Sequence, residues 1–277
     1  MRLAAAAAFD QAPVEWRVTA DEAQAASADV VVATPDVQWP AAVSFDPEQP
    51  DALLPAVRAR LARGALGRLY VVTSPRAGSG ATTLALELAA RAAWAGKACF
   101  VDRDPTGGAV ARLGLASAVP STRTNDPPAT VPLQGGIRLL RCPAQEADDA
   151  DVYVIRTLSE FDTVVVDAGR IGADDAVVTR ARAVLVVIAA TASCASAAGE
   201  LLEGLRDRPT ALVANHTGWG GEVNRAELER LAGHRVTAEL PFSAAVRDAE
   251  RDGLCSVPRW TSWSRRVGRL YQALERL

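Results

Sequence analysis

The chain is 277 residues long, 49% hydrophobic and 23% charged, with 33 acidic residues against 30 basic ones and a formal net charge of −3. That balance excludes a disordered chain and a disulfide-stapled miniprotein, and it argues against a surface built to coat nucleic acid, which needs a basic face. Lys97 is the only lysine, so chemistry that needs an ammonium at a chosen place must use it or do without.

The four cysteines, Cys99, Cys142, Cys194 and Cys255, lie far apart. They lack the paired spacing of a zinc site or of a Cys-x-x-Cys redox centre, and they read as buried free thiols. His216 and His234 are the only histidines, too few for a His-rich metal site. No apolar run approaches the ~20 residues of a membrane span. The apolar stretch at residues 3–9 is stopped by Asp10 before it reaches signal-peptide length. The expected location is the cytoplasm.

In chain order, residues 14–19 and 29–34 read as short strands with an Ala-rich helix between them. Residues 51–63 read as a helix, with Leu53, Leu54, Val57 and Leu61 at helical spacing. Residues 1–66 are too few for a strong core and are expected to lean on a larger domain at 67–277. From there strands alternate with helices. Strands are expected at 69–73, 98–102, 137–140, 163–167, 183–188 and 211–215, with a weaker one at 236–240. A helix is expected at 82–95 and a helical pattern at 245–253. Such β-branched runs between helical patterns predict an α/β, doubly wound, mainly parallel sheet covered on both faces. Residues 120–132, rich in Pro, Thr and Ser, read as a surface loop.

The turn after the first of these strands reads Thr73-Ser74-Pro75-Arg76-Ala77-Gly78-Ser79-Gly80-Ala81-Thr82-Thr83. A Gly-rich link between a buried strand and a helix offers free backbone N–H groups and a helix dipole to phosphate, and Thr82 could place a hydroxyl on Mg²⁺. Against the pattern G-x-x-x-x-G-K-[ST], Pro75 replaces the first Gly and Ala81 the Lys. A dinucleotide-binding reading competes: Gly78 and Gly80 could open G-x-G-x-x-G, with Asp102 reaching a ribose. The third glycine is absent, however, and paired threonines suit Mg-phosphate better.

Further motifs follow in order. Asp102-Arg103-Asp104-Pro105-Thr106-Gly107-Gly108 ends the second strand, and Phe161 to Asp167 forms a strand ending in a carboxylate. The 211–215 strand ends in Asn215, and Leu240-Pro241-Phe242 comes after the next. Together these resemble the MinD/ParA group of deviant Walker A ATPases, whose loop reads K-G-G-x-G-K-[ST]-T, whose next strand ends in D-x-D, and whose late strands end in N and in I/L-P. Within that group the likeness is greatest to the CpaE/TadZ-like pilus-assembly branch, including actinobacterial septum-site-determining and secretion-neighbourhood relatives. Their loops tend toward G-G-x-G-A-[ST]-T-L-A, and they carry a degenerate receiver-like segment where residues 1–66 stand here. The resemblance covers 69–277 and implies a P-loop domain, ATP or ADP with Mg²⁺ as ligand, a homodimer, and partners in a pilus, secretion or division apparatus.

Residue by residue, the resemblance implies that Gly78, Ser79, Gly80, Ala81, Thr82 and Thr83 cradle phosphate. Thr82 and Asp167 would hold the metal, Asp104 would act as the switch carboxylate near the attacking water, and Asn215 would read adenine. The family's two lysines do not carry over: the P-loop lysine is Ala81, and the signature lysine that reaches across the dimer is Arg76. Lys97 lies at the wrong end of its strand to replace either. Losing one partner of a buried charge pair costs about 2–5 kcal/mol, or roughly 30- to several-thousand-fold in affinity. Arg76 keeps a charge and could act in trans as an arginine finger. The expectation is a positioning or scaffold protein that binds ATP weakly and hydrolyses it slowly or not at all. The alternatives are an active ParA/MinD-type ATPase, a dinucleotide-binding enzyme, and an interaction protein with a vestigial loop.

Duller readings stand beside these. Gly78 and Gly80 could serve only a tight turn, Asp102 and Asp104 could cap the next segment, and Asn215 could sit in a turn. At the C-terminus, Trp260, Trp263, Val267, Leu270, Tyr271 and Leu274 share one helical face. Residues 259–277 therefore either contact a membrane or pack back on the sheet as the last helix, and packing is the favoured reading.

Overall fold

The computed structural model describes residues 32–33, 43–44, 67–104, 108–115, 130–142, 154, 157–158, 160–172, 175–218 and 221–276. The strands are β1 (Val32–Ala33), β2 (Val43–Ser44), β3 (Arg68–Thr73), β4 (Ala98–Asp102), β5 (Val131–Pro132), β6 (Ile137–Arg141), β7 (Thr163–Asp167), β8 (Ala183–Ala189), β9 (Thr210–Asn215) and β10 (Val236–Leu240). The helices are α1 (Ala81–Ala93), α2 (Gly108–Arg112), α3 (Ala176–Arg180), α4 (Ala192–Gly204), α5 (Arg225–Ala232), α6 (Ala244–Arg251) and α7 (Ser262–Leu274).

Eight strands form one sheet in the order β10-β9-β8-β3-β7-β4-β6-β5. Every neighbouring pair is parallel except β5 with β6. Side chains alternate strictly between two cores, as a pleated strand requires. Tyr70, Val72, Val165, Leu185 and Val187 join the core under α1 and α7. Leu69, Val71, Val164, Val166, Val184, Val186 and Ile188 join the core under α3, α4 and α5. Burial on both faces explains why these strands read as continuous apolar runs.

The order also bears on the dinucleotide reading. In the dinucleotide-binding order 3-2-1-4-5-6 the first and second strands are adjacent. Here β7 lies between β3 and β4, so that reading does not fit the sheet. Asp102, its ribose-binding candidate, is buried.

One expectation is corrected, and one strand had not been expected. Residues 131–132, placed in a surface loop, form the antiparallel edge strand β5; Pro132 is tolerated there because an edge strand needs no ladder donor from it. β2, which pairs in parallel with β1, had no signal beyond a short Val-Ser step. The expected strand at 14–19 and helix at 51–63 lie outside the described residues.

The C-terminal helix packs inward. Trp263, Val267, Leu270, Tyr271 and Leu274 are buried in the core beside α1, while Trp260 stays 76% exposed. A polar clasp holds the helix: Glu87 accepts from Ser264 Oγ at 2.8 Å and from Val257 N at 3.1 Å, and pairs with Arg91 at 3.1 Å. Burial raises the Glu87 pKa, opposed by these hydrogen bonds and by Arg91. At the far end Glu275 pairs with Arg68 and accepts from Tyr70 Oη at 3.0 Å. The apolar face that could have met lipid is therefore already occupied by the protein. Among the described residues no helix is long and apolar enough to cross a membrane.

Candidate functional site

Because the strands run parallel, Thr73, Asp102, Asp167, Asn215 and Leu240 end at one edge of the sheet. Lys97 precedes β4 at the opposite edge, where its backbone N–H donates to Asp162 Oδ2 at 2.8 Å. The only lysine of the chain is thus a full strand away from the Gly-rich turn.

That turn is held by its own hydroxyls. Ser74 Oγ donates to the Arg76 carbonyl at 2.7 Å, and Ser79 Oγ donates to the same carbonyl at 2.8 Å. Thr73 Oγ1 donates to the Gly169 carbonyl at 2.9 Å, tying the turn to the segment after β7. Gly78 and Gly80 take φ of 79° and 88°, the left-handed region open to glycine at no steric penalty. Gly80 has a second constraint: a Cβ there would lie 2.4 Å from Asn215 Nδ2. Gly80 caps α1 without a side-chain bond, and the first intrahelical bond runs from Leu84 N to Gly80 O at 3.0 Å. The N–H groups of Ala81, Thr82 and Thr83 precede that bond, the arrangement that receives an anion.

Three of the expected metal and switch residues come together beside this helix start. A Cβ on Gly108 would stand 3.7 Å from Asp104 Oδ2 and 3.8 Å from Thr82 Oγ1. Asp167 hydrogen-bonds Thr82, and its carboxylate is 1% exposed, with Oδ2 buried and unpartnered. Burial is the main cause that pushes the Asp167 pKa up to about 6, with the Asp102 and Asp104 charges adding to it and the Thr82 bond opposing it. A buried carboxylate oxygen without a partner, next to a hydroxyl and unpaired helix N–H groups, fits a divalent cation with phosphate. Among the described residues no group of three or more His, Cys, Asp or Glu could hold a metal by itself. Magnesium held by one or two carboxylates and phosphate oxygens does not need one.

The remaining expected residues fall differently. Asp102, paired in register with Asp167, accepts from Val110 N at 3.0 Å and Asp104 N at 3.3 Å, so it anchors the start of α2. Burial raises its pKa too. The Thr83 hydroxyl donates to Glu250 Oε1 at 2.5 Å and accepts from Arg112 Nη1 at 2.8 Å, so it ties α1 to α2 and α6. Asn215 turns its amide into the turn: Nδ2 donates to the Ser79 carbonyl at 3.0 Å, and Oδ1 accepts from Trp263 Nε1 at 3.4 Å. It straps the turn to α7. Arg76 is exposed on the turn, and Ala81 presents a methyl where a lysine would supply charge. Arg112 and Glu250 gave no signal in the sequence, because neither belongs to a motif.

The structure superposes on MinD of the MinC:MinD cell division complex from Aquifex aeolicus with a TM-score of 0.61 at 18% identity, covering 76% of this chain and 96% of that one. It superposes on a ParA family ATPase from Chlorobium tepidum with a TM-score of 0.58 at 15% identity, covering 74% and 98%. The fold is that of the MinD/ParA-type P-loop ATPases. A third likeness is the septum site-determining protein MinD from Pyrococcus horikoshii, which is complexed with Mg-ADP; the TM-score is 0.59 at 12% identity, covering 76% and 96%. No family model and no curated protein matches the sequence.

Proposed function

We propose that this protein is a CpaE/TadZ-like positioning or scaffold protein whose P-loop binds Mg-ATP or Mg-ADP weakly and hydrolyses ATP slowly or not at all. The observation that carries this reading is the pairing of a retained cradle with a missing charge. Gly78, Gly80 and the uncapped start of α1 keep the anion geometry, and Asp167 keeps an unpartnered buried oxygen beside Thr82. Position 81 is alanine. Thr82 and Asp167 would hold Mg²⁺, which when bound neutralises phosphate charge. The free N–H groups of residues 81–83 would bind the phosphates, and Asp104 would orient water.

Without an ammonium at position 81, binding of phosphate outlasts its transfer, because catalysis of phosphoryl transfer rests on electrostatic stabilisation that strengthens in the transition state. The protein then works as a homodimeric switch or platform for a pilus, secretion or division apparatus, with exposed Arg76 facing a second copy. MinD of Aquifex aeolicus forms a complex with MinC, which supports a protein partner on this fold. Residues 1–66 would be a truncated receiver-like segment preceding the P-loop domain.

Phosphate release from labelled ATP, with and without Mg²⁺, tests the reading. Binding with negligible turnover supports it. Turnover at the rate of an ordinary P-loop ATPase favours the active-enzyme alternative.

A further inference from the structure

Arg112, at the end of α2, reaches the first turn of α1 through Thr83. Its side chain is 13% exposed. Nη1 donates to Thr83 Oγ1 at 2.8 Å and stands 3.5 Å from Glu250 Oε1, and Nη2 donates to the Leu254 carbonyl at 3.4 Å. Nε is buried and has no partner. A guanidinium carries five donors in a planar fork, so this one holds unused capacity beside the first turn of α1. Buried donors are seldom left unpaired without reason. Through Thr83, Arg112 lies next to a helix start whose N–H groups no side chain caps. Its counter-ion, Glu250, is 41% exposed and can be displaced from the rim.

We propose that Arg112 supplies the phosphate-binding charge absent from position 81, contacting the phosphate chain of a nucleotide on the Thr83 side of α1 after exchanging Glu250 for phosphate oxygens. This rests on the nucleotide reading above and adds a residue to it. Arg112 and Glu250 then have opposite effects. In the absence of nucleotide Glu250 and Thr83 hold the fork; a phosphate competes with the carboxylate for it. A purely structural Arg112 would only tie α2 to α1 and to Leu254, and both substitutions would loosen the fold without regard to phosphate.

The test is calorimetric titration of adenosine, ADP and Mg-ATP into the full chain and into Arg112→Gln, Arg112→Lys and Glu250→Gln. The expected result is that Arg112→Gln weakens Mg-ATP and ADP about 10- to 100-fold, as loss of a hydrogen bond to a charged group does. Adenosine affinity should stay within about twofold of the wild type, and Arg112→Lys should recover part of the loss, since it keeps the charge without the fork. Glu250→Gln, which removes the competing charge and keeps the shape, should tighten Mg-ATP about threefold or more. Equal Mg-ATP affinity in wild type and Arg112→Gln overturns the proposal, as does an equal loss for adenosine and ATP. If Arg112→Gln fails to fold, Glu250→Gln decides: unchanged or weaker ATP binding overturns it. A wild-type chain that binds no ATP at millimolar concentration overturns the nucleotide reading, and the role of Arg112 with it.

Discussion

Trp263 and Asn215 are joined by a hydrogen bond from the indole Nε1 to the amide Oδ1 at 3.4 Å, and the same amide donates from Nδ2 to the Ser79 carbonyl at 3.0 Å. The last helix of the chain is thereby tied to the Gly-rich turn through a single side chain. Breaking the strap leaves a buried indole N–H and a turn carbonyl short of partners. Asn215→Ala is expected to lower stability by about 1–3 kcal/mol, measured by urea unfolding. Hydrogen exchange should show faster exchange of the amides of residues 76–80.

Gly80 meets the same strap from the other side. Alanine there would need φ near 88° and would press its Cβ on Asn215 Nδ2 at 2.4 Å. Gly80→Ala should cost about 1–3 kcal/mol from backbone strain, with the clash in addition. A double-mutant cycle separates the two: Gly80→Ala should be less damaging in an Asn215→Ala background, because only the strain remains. Strict additivity would mean that the amide yields without penalty.

Asp167 predicts a pH dependence. Its folded pKa of about 6 stands above the ordinary value of 3.8. An acid that holds its proton longer when folded makes the folded state less stable as pH rises from about 4 to about 6, and the loss persists above that window. Asp167→Asn should therefore stabilise the ligand-free protein at pH 7 by about 2–3 kcal/mol, at 1.36 kcal/mol per pKa unit. The gain should vanish at pH 3.5. The same variant should lose the Mg²⁺-dependent part of nucleotide binding. Thermal unfolding at the two pH values, with and without Mg-ATP, reads both effects.

The Glu87 clasp decides where the C-terminal helix resides. Glu87→Ala leaves Arg91 buried without its carboxylate and should cost about 3–5 kcal/mol. If the helix face of Trp263, Val267 and Leu270 serves the core alone, wild type should not sediment with anionic liposomes. Trp263→Glu should destabilise the fold without changing that result. Wild-type pelleting abolished by Trp263→Glu would show that the helix leaves the core for lipid.

Much of the architecture was legible because buried parallel strands are written as unbroken apolar runs. The bounds of β4, β7 and β10 match the expected spans 98–102, 163–167 and 236–240, and Asp104 and Thr82 both lie beside Gly108. What was not legible depended on partners remote in the chain. The insertion of β7 between β3 and β4 leaves no mark in periodicity. Thr83 is assigned to phosphate from its place beside Thr82, but one step along a helix turns a side chain by about 100°, and only the fold shows that its hydroxyl meets Glu250 and Arg112. Arg112 ends a short helix in no motif, so only the fold brings it to the first turn of α1. Asn215 was placed correctly at its strand end, yet its amide is claimed by Ser79 and Trp263, neither of which its local sequence names.

The central claim is that the nucleotide cradle survives while the charge at position 81 is gone. The most direct test is calorimetric titration of Mg-ATP into the wild type and into Ala81→Lys side by side. Both should bind, with the lysine variant tighter by about 30-fold or more, the gain expected when a buried phosphate regains a charged partner. Equal affinities, or a wild type that does not bind Mg-ATP at millimolar concentration, would contradict the account.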